Sequence, residues 1–234
     1  MPSVLITGAS LRVGIAAACA RKLARNGWDV GLTHWHDFED ELLSELRRHG
    51  VRVAVTRADL ADPASAARIF DELEPRVGSF SALIAAHSRD VELPLESSSA
   101  AELDLHFAVN ARAVALLIQE FARRLPGDDG RIVAFTSDAL QDNVPYGASK
   151  AALDRIVNAA ARELGPRGIR ANCINPGPTE TGWISEELRA GIARNSPLGR
   201  PSLPQDAANL VAYLLSSDGA WITGQLLHSN GGLQ

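Results

Sequence analysis

Tyr146 and Lys150 bracket the phrase Tyr-Gly-Ala-Ser-Lys in a chain with only two tyrosines and two lysines. On a helix, side chains four apart share one face, one turn above the other. That spacing sets an ammonium beside a phenol. A free phenol titrates near about 10 and exchanges protons poorly at neutrality. A cation alongside favours the phenolate, lowers that value and suits the group to general acid/base work. Tyr146 and Lys150 are therefore candidate catalytic residues. The plain alternative is a surface helix with a half-buried tyrosine and a solvated lysine.

The elements that must hold this pair alternate along the whole chain. Apolar runs at 4–7, 29–33, 51–55, 81–86, 131–136, 169–174 and 225–228 read as strands. Helical patterns fill 13–25, 39–48, 100–124, 148–164, 185–194 and 204–215, and another helix is expected to start at Asp62-Pro63, with Asp as cap and Pro in the first turn. Continuously apolar strands separated by helices predict an α/β fold, a parallel sheet of about seven strands covered on both faces. There is no internal repeat or linker, so residues 1–234 are expected to form a single domain. The stretch 175–195 is rich in Pro, Gly and Ser and reads as a mobile lid, with 178–196 as the part that covers substrate.

The first strand-to-helix turn, Thr7-Gly8-Ala9-Ser10-Leu11-Arg12-Val13-Gly14, carries small residues that let backbone N–H groups approach a pyrophosphate at a helix N-terminus. Gly8, Ser10, Val13 and Gly14 are its candidate contacts, and the sheet is then of the Rossmann type, doubly wound. A three-glycine fingerprint would have its middle glycine where Arg12 stands. A guanidinium there suits a 2′-phosphate with bidentate geometry. An NAD site would place a carboxylate at the end of the second strand, where this chain has His34. NADP(H) is thus favoured and NAD(H) stays possible, because Asp37 follows closely. His34, Trp35 and His36 read either as cofactor contacts or as a solvated loop with one packed indole. The paired histidines lack a third ligand nearby, and no metal is expected.

Composition narrows the function classes. The chain has 234 residues, 46% hydrophobic and 22% charged, with a net charge of −5. It offers neither a basic field for nucleic acid nor a polybasic stretch for a membrane surface. No apolar run reaches the length of a bilayer span, and the start lacks the pattern of a signal peptide, so a cytoplasmic protein is expected. Cys19 and Cys173 read as reduced core thiols.

Thr7-Gly8-Ala9-Ser10, Asp59-Leu60, Asn110, Thr136-Ser137, Tyr146-x-x-x-Lys150 and Asn175-Pro176-Gly177-Pro178-Thr179 occur in the order seen in short-chain dehydrogenases/reductases. The resemblance covers the whole chain. It is similar above all to members labelled 3-oxoacyl-(acyl-carrier-protein) reductase-like, and the Arg12 variant of the turn also resembles pteridine reductases. The resemblance implies an NAD(P)-dependent oxidoreductase interconverting a carbonyl and a secondary alcohol by hydride transfer. Tyr146 would exchange the proton, Lys150 would lower its pKa and hold the nicotinamide ribose, and Ser137 would hydrogen-bond the reacting oxygen. Asn110 would hold a water linking Lys150 to solvent. Asp59 and Leu60 would border the adenine, Ala86 the adenosine ribose, and Pro176, Gly177 and Thr179 the nicotinamide.

Three departures stand out. Ala85-Ala86-His87-Ser88 replaces the Asn-Asn-Ala-Gly usual in relatives; Ser137 and Tyr146 are only nine residues apart; and Asp138 and Asp142 put carboxylates in that short loop, beside Leu140. A cofactor-binding scaffold or sensor without useful turnover is the alternative these departures raise. The resemblance also implies a homodimer or homotetramer formed through the helices at 100–124 and 148–164, where Leu103, Leu105, Phe107, Val109, Leu116, Leu117 and Ile118 exceed what one core stripe needs.

Overall fold

The computed structural model describes residues 1–138 and 143–233. The apolar runs become β1 (Ser3–Thr7), β2 (Asp29–His34), β3 (Val53–Arg57), β4 (Ala82–Ala85), β5 (Gly130–Phe135), β6 (Ile169–Asn175) and β7 (Leu226–His228). They form one sheet in the order β3-β2-β1-β4-β5-β6-β7, every pairing parallel. Successive strand residues point to opposite faces. Val4 and Ile6 accordingly enter one core with helices α1 (Ile15–Arg25), α2 (Asp40–Arg47) and α8 (Pro204–Leu215). Leu5 enters the other, with α3 (Ser65–Val77), α5 (Ala113–Arg124) and α6 (Val144–Leu164). The strand order reverses between β1 and β4, where Thr7 pairs with Ala85. The crevice at such a switch point is where doubly wound sheets bind ligands.

Several boundaries differ from the pattern, each for a local reason. Helix α3 starts at Ser65, because the Asp62 carboxylate accepts from Ala64 N at 2.9 Å and so closes a turn instead of capping a helix. Helix α6 starts at Val144, whose N–H donates to the Leu93 carbonyl (3.1 Å), and so includes Tyr146. The helix expected over 100–124 is interrupted. Helix α4 (Ala100–Phe107) runs into a π-helical segment, Ala108–Arg112, before α5 resumes. Such single-turn π segments cluster at functional sites. This one carries Asn110.

The 175–195 stretch is tied down rather than structureless. Pro178 O accepts from Ser202 N (3.0 Å) and Ser202 O from Glu180 N (2.9 Å). It then forms helix α7 (Glu186–Asn195), capped by the Ser185 hydroxyl, which accepts from Leu188 N. Gly177 needs to be glycine: its φ is +63°, and a Cβ would come within 2.6 Å of Asn230. Cys19 and Cys173 are free and buried. No helix among the described residues is long and apolar enough to cross a membrane.

Candidate active site

Helix α6 carries Tyr146, Lys150 and Asp154 one turn apart, beside the end of β5. Lys150 is buried, and its Nζ donates to the Phe135 carbonyl at 2.9 Å while lying 5.6 Å from the Tyr146 ring centroid. The half-buried phenol is hydrogen-bonded to Ser137. Burial pushes Tyr146 up to about 12, and the charges of Asp90 and Asp138 push the same way, against the Ser137 hydrogen bond. The lowering expected from Lys150 is therefore not found in the chain alone; the ammonium sits over the ring and is spent on a carbonyl. Burial likewise holds Lys150 down at about 8, opposed by Cys173, Asp90 and Asp154.

Asn110 is bonded to protein groups at both ends of its amide. Its Oδ1 accepts from Arg89 N (2.7 Å), and its Nδ2 donates to Arg89 O and to Ser149 Oγ, both at 2.9 Å. Ser149 Oγ donates in turn to the Tyr146 carbonyl (2.7 Å). The π segment is thus bolted to the turn of α6 that bears the tyrosine. Both amide hydrogens are used, and Oδ1 keeps one lone pair for a further donor such as the expected water.

His87 also faces inward. Its Nε2 lies 3.0 Å from the Val109 carbonyl and its Nδ1 2.6 Å from Thr7 Oγ1. A carbonyl can only accept, so Nε2 carries the proton and Nδ1 accepts from Thr7. Burial, then the charge of Lys150, depress His87 to about 3, and it is neutral at ordinary pH. Its backbone packs so closely on Gly8 that a Cβ there would lie 2.6 Å from His87 Cα; Gly8 also has φ +84°.

The first turn has the donors a pyrophosphate needs. Helix α1 begins at N-cap Gly14, with no side chain closing its first N–H groups, so these remain for an anion. Ser10 Oγ accepts from Trp35 N (3.1 Å) and His36 N (3.4 Å), tying the turn to the segment after β2. Arg12 is half-exposed, with Glu39 3.9 Å away. Val13 is exposed on the same turn. His34 Nδ1 lies 2.6 Å from His36 O and its ring packs against Phe38. Arg57 donates to the Trp35 carbonyl (3.1 Å) and stacks over the indole, in a groove of about 530 Å³ that includes His34, His36 and Asp37. Asp59 accepts from Ala61 N (2.8 Å), with Leu60 half-buried beside it; Ala86 lies next to His87 at the end of β4. Thr179 donates to Gly177 O (3.0 Å), fixing the Pro176-Gly177 turn. Leu140 and Asp142 lie outside the described residues.

The family model described as enoyl-(acyl carrier protein) reductase matches residues 8–234. An uncharacterized oxidoreductase of Bacillus subtilis (strain 168), YjdA, is 39% identical over 97% of this chain and 95% of that relative. The chain belongs to the short-chain dehydrogenase/reductase family. A chloroplastic NADPH-dependent aldehyde reductase-like protein of Arabidopsis thaliana is 32% identical over 97% of this chain and 92% of its own length. Among solved structures, the angucycline C-6 ketoreductase LanV with bound NADP aligns with a TM-score of 0.90 at 30% identity, over 99% of this chain and 95% of LanV. A metagenomic blue fluorescent protein in complex with NADPH aligns with a TM-score of 0.91 at 31% identity, over 99% and 97%. As a family member this chain is an oxidoreductase of carbonyl and alcohol groups.

Within this short-chain dehydrogenase/reductase, three site residues escaped the sequence reading. Asp154 stands one turn below Lys150 and is raised by its burial, with Thr136, Cys173 and Lys150 opposing the rise. The four-residue step from Lys150 was its available signal. Asn143 donates to Asp90 at 2.5 Å (Nδ2 to Oδ1), and Asp90 bears on both Tyr146 and Lys150. Asp90 and Asn143 are 53 residues apart, and no local pattern links them.

Proposed function

We propose that this chain is an NADP(H)-dependent reductase or dehydrogenase of a small carbonyl/alcohol substrate, with Tyr146 as the general acid/base. The observation that carries it is Tyr146 bonded to Ser137, with Lys150 beneath it, at the end of β5. A bound nicotinamide supplies or receives the hydride at the substrate carbon. Tyr146 gives its proton to the substrate oxygen in reduction and takes it back in oxidation. Ser137 donates to the same oxygen and stabilises the charge that develops there. Lys150 supplies positive charge beneath the phenol and is largely protonated at neutral pH, its value being about 8. Asn110 would hold the water that links Lys150 to solvent.

Gly8, Ser10, Val13 and Gly14 would hold the pyrophosphate and Arg12 the 2′-phosphate, in keeping with relatives whose names carry NADP or NADPH. His34 would border the adenosine ribose, with Asp59, Leu60 and Ala86 around the adenosine, and Pro176, Gly177 and Thr179 against the nicotinamide. Residues 178–196 would cover the substrate. Phe107 is 39% exposed, and Leu103 and Leu105 are only partly covered, which supports a homo-oligomer through the α4–α5 face.

Rates over a ketone panel with NADPH and with NADH, for the native chain and Tyr146→Phe, test the reading. We expect NADPH turnover that falls by about 10²–10⁴ in the variant. Equal rates from both proteins would end the proposed mechanism, and binding of NADPH with no turnover at all would favour the scaffold.

A further inference from the structure

The segment after β4 runs along the mouth of the site and is pinned at three points. Arg89 N donates to Asn110 Oδ1 (2.7 Å), Asn143 Nδ2 donates to Asp90 Oδ1 (2.5 Å), and Val144 N donates to Leu93 O (3.1 Å). Asp90 is thereby fixed to the residue that precedes α6, three before Tyr146. Asp138 directly follows Ser137. Both carboxylates are exposed, and among the described residues neither is in an ion pair. Arg89, the cation on the same segment, is bound to Glu102 at 2.8 Å, and Lys150 is bound beneath the tyrosine to a carbonyl.

Asn143 gives the independent sign of a ligand. It is only 8% exposed, its Nδ2 is spent on Asp90, and its Oδ1 has no partner among the described residues. Buried amide oxygens are nearly always bonded, so one left open beside a carboxylate calls for a donor. Asp90 is bonded to the residue three before Tyr146, and Asp138 follows the serine bonded to the phenol, so both carboxylates stand on segments that flank the site. Three acceptors, two of them charged, thus stand on the segments that flank Tyr146.

We propose that the substrate is a carbonyl compound or amino alcohol bearing a protonated amine, its ammonium received by Asp90, with Asp138 and the Asn143 carbonyl as further acceptors. A primary ammonium offers three donors and no acceptor, which complements this wall. A carboxylate or phosphate would meet like charge. A hydroxyl would bring a donor without the charge. The proposal rests on the carbonyl/alcohol oxidoreductase reading and names the substrate class of that site.

The test is a matched series of ketones with NADPH: aminoacetone, hydroxyacetone and acetoacetate, each with the native chain, Asp90→Asn and Asp138→Asn. We expect kcat/KM for aminoacetone to exceed that for hydroxyacetone by about tenfold or more, as a charge-assisted contact gives, with acetoacetate lowest. Asp90→Asn should bring the amine-to-hydroxyl ratio close to one, and Asp138→Asn should reduce it by a smaller factor. Hydroxyacetone matching aminoacetone in the native chain, or a preference that survives both substitutions, overturns the proposal. Turnover of none of the three counts against the reductase reading instead. Calorimetric titration in the presence of NADP⁺, with 1-amino-2-propanol against 1,2-propanediol, then decides separately. Tighter amine binding that is lost in Asp90→Asn upholds the ammonium site, and equal binding of the two compounds overturns it.

Discussion

Lys150 is buried and already bonded within the chain, whereas Arg12 faces solvent and is only loosely paired. Lys150 is 2% exposed and donates to Phe135. The Arg12 side chain is 47% exposed, with Glu39 at 3.9 Å. The same unit of charge acts far more strongly in the first setting than in the second, because water screens the lip and not the centre. Burial strengthens the charge of Lys150 and also makes it costly to fold. The exposed charge of Arg12 costs little to fold and acts weakly on its neighbours.

Three substitutions probe that contrast, in falling order of effect. Lys150→Met should cut kcat by about 10²–10³ by removing the charge under Tyr146. It should also make the protein more stable at neutral pH. In the folded chain Lys150 binds its proton less tightly than in the unfolded chain, at about 8 rather than 10.5. The cost of burying the cation is therefore fully present below pH 8 and relieved as pH rises towards 10.5. Urea midpoints at pH 7 and pH 10 should show a gain of about 2–3 kcal/mol at the lower value that shrinks at the higher. Lower stability at pH 7 would mean that the Phe135 hydrogen bond outweighs desolvation.

His87→Asn addresses the inner region without touching Tyr146. His87 is held neutral, at about 3 against an ordinary 6.5, so the unfolded chain gains a proton that the folded chain refuses as pH falls through that window. The native protein should lose on the order of 2–3 kcal/mol from this residue between pH 6.5 and 4.5. The variant should lose that much less, read as a flatter fall of the denaturation midpoint. Parallel curves would place the acid sensitivity elsewhere.

Arg12→Ala tests the outer region and should be the mildest. We expect KM for NADPH to rise about five- to tenfold, a charge-assisted contact discounted for exposure, with KM for NADH little changed. Steady-state kinetics with both cofactors measure it. An equal change for both would move the discrimination to Arg57 or His34.

The centre and the lip were also unequally legible in the sequence. The seven strands were readable because continuously apolar runs leave few alternatives to a buried parallel strand. Tyr146 and Lys150 were readable because one helical turn fixes their relation. What could not be read was convergence. The pKa of Tyr146 depends on Asp90, 56 positions away and brought near only by the fold. Asn110 stood out in the sequence, but the use of its amide depends on Arg89 and Ser149, which reach it from other elements. The break in the helix around it left no mark either: Ala108–Arg112 contains neither proline nor glycine. Tertiary hydrogen bonds, rather than local propensity, accompany it.

The π segment is in effect one extra residue stored in a helix, since each of its turns closes over five residues where an α-helix uses four. Deleting a single residue from Ala108–Arg112 would let α4 and α5 fuse into one regular helix, improving local geometry. The flanking helices would keep their facing, because the extra residue is what the π turn absorbs, and only the widened turn would be lost. Leu117 and Phe121 would stay in the core, while the turn that carries Asn110 to Arg89 and Ser149 would close. A change that shortens the gene by a single codon here would thus tidy the helix and loosen the hydrogen bonds that tie Asn110 to the turn bearing Tyr146.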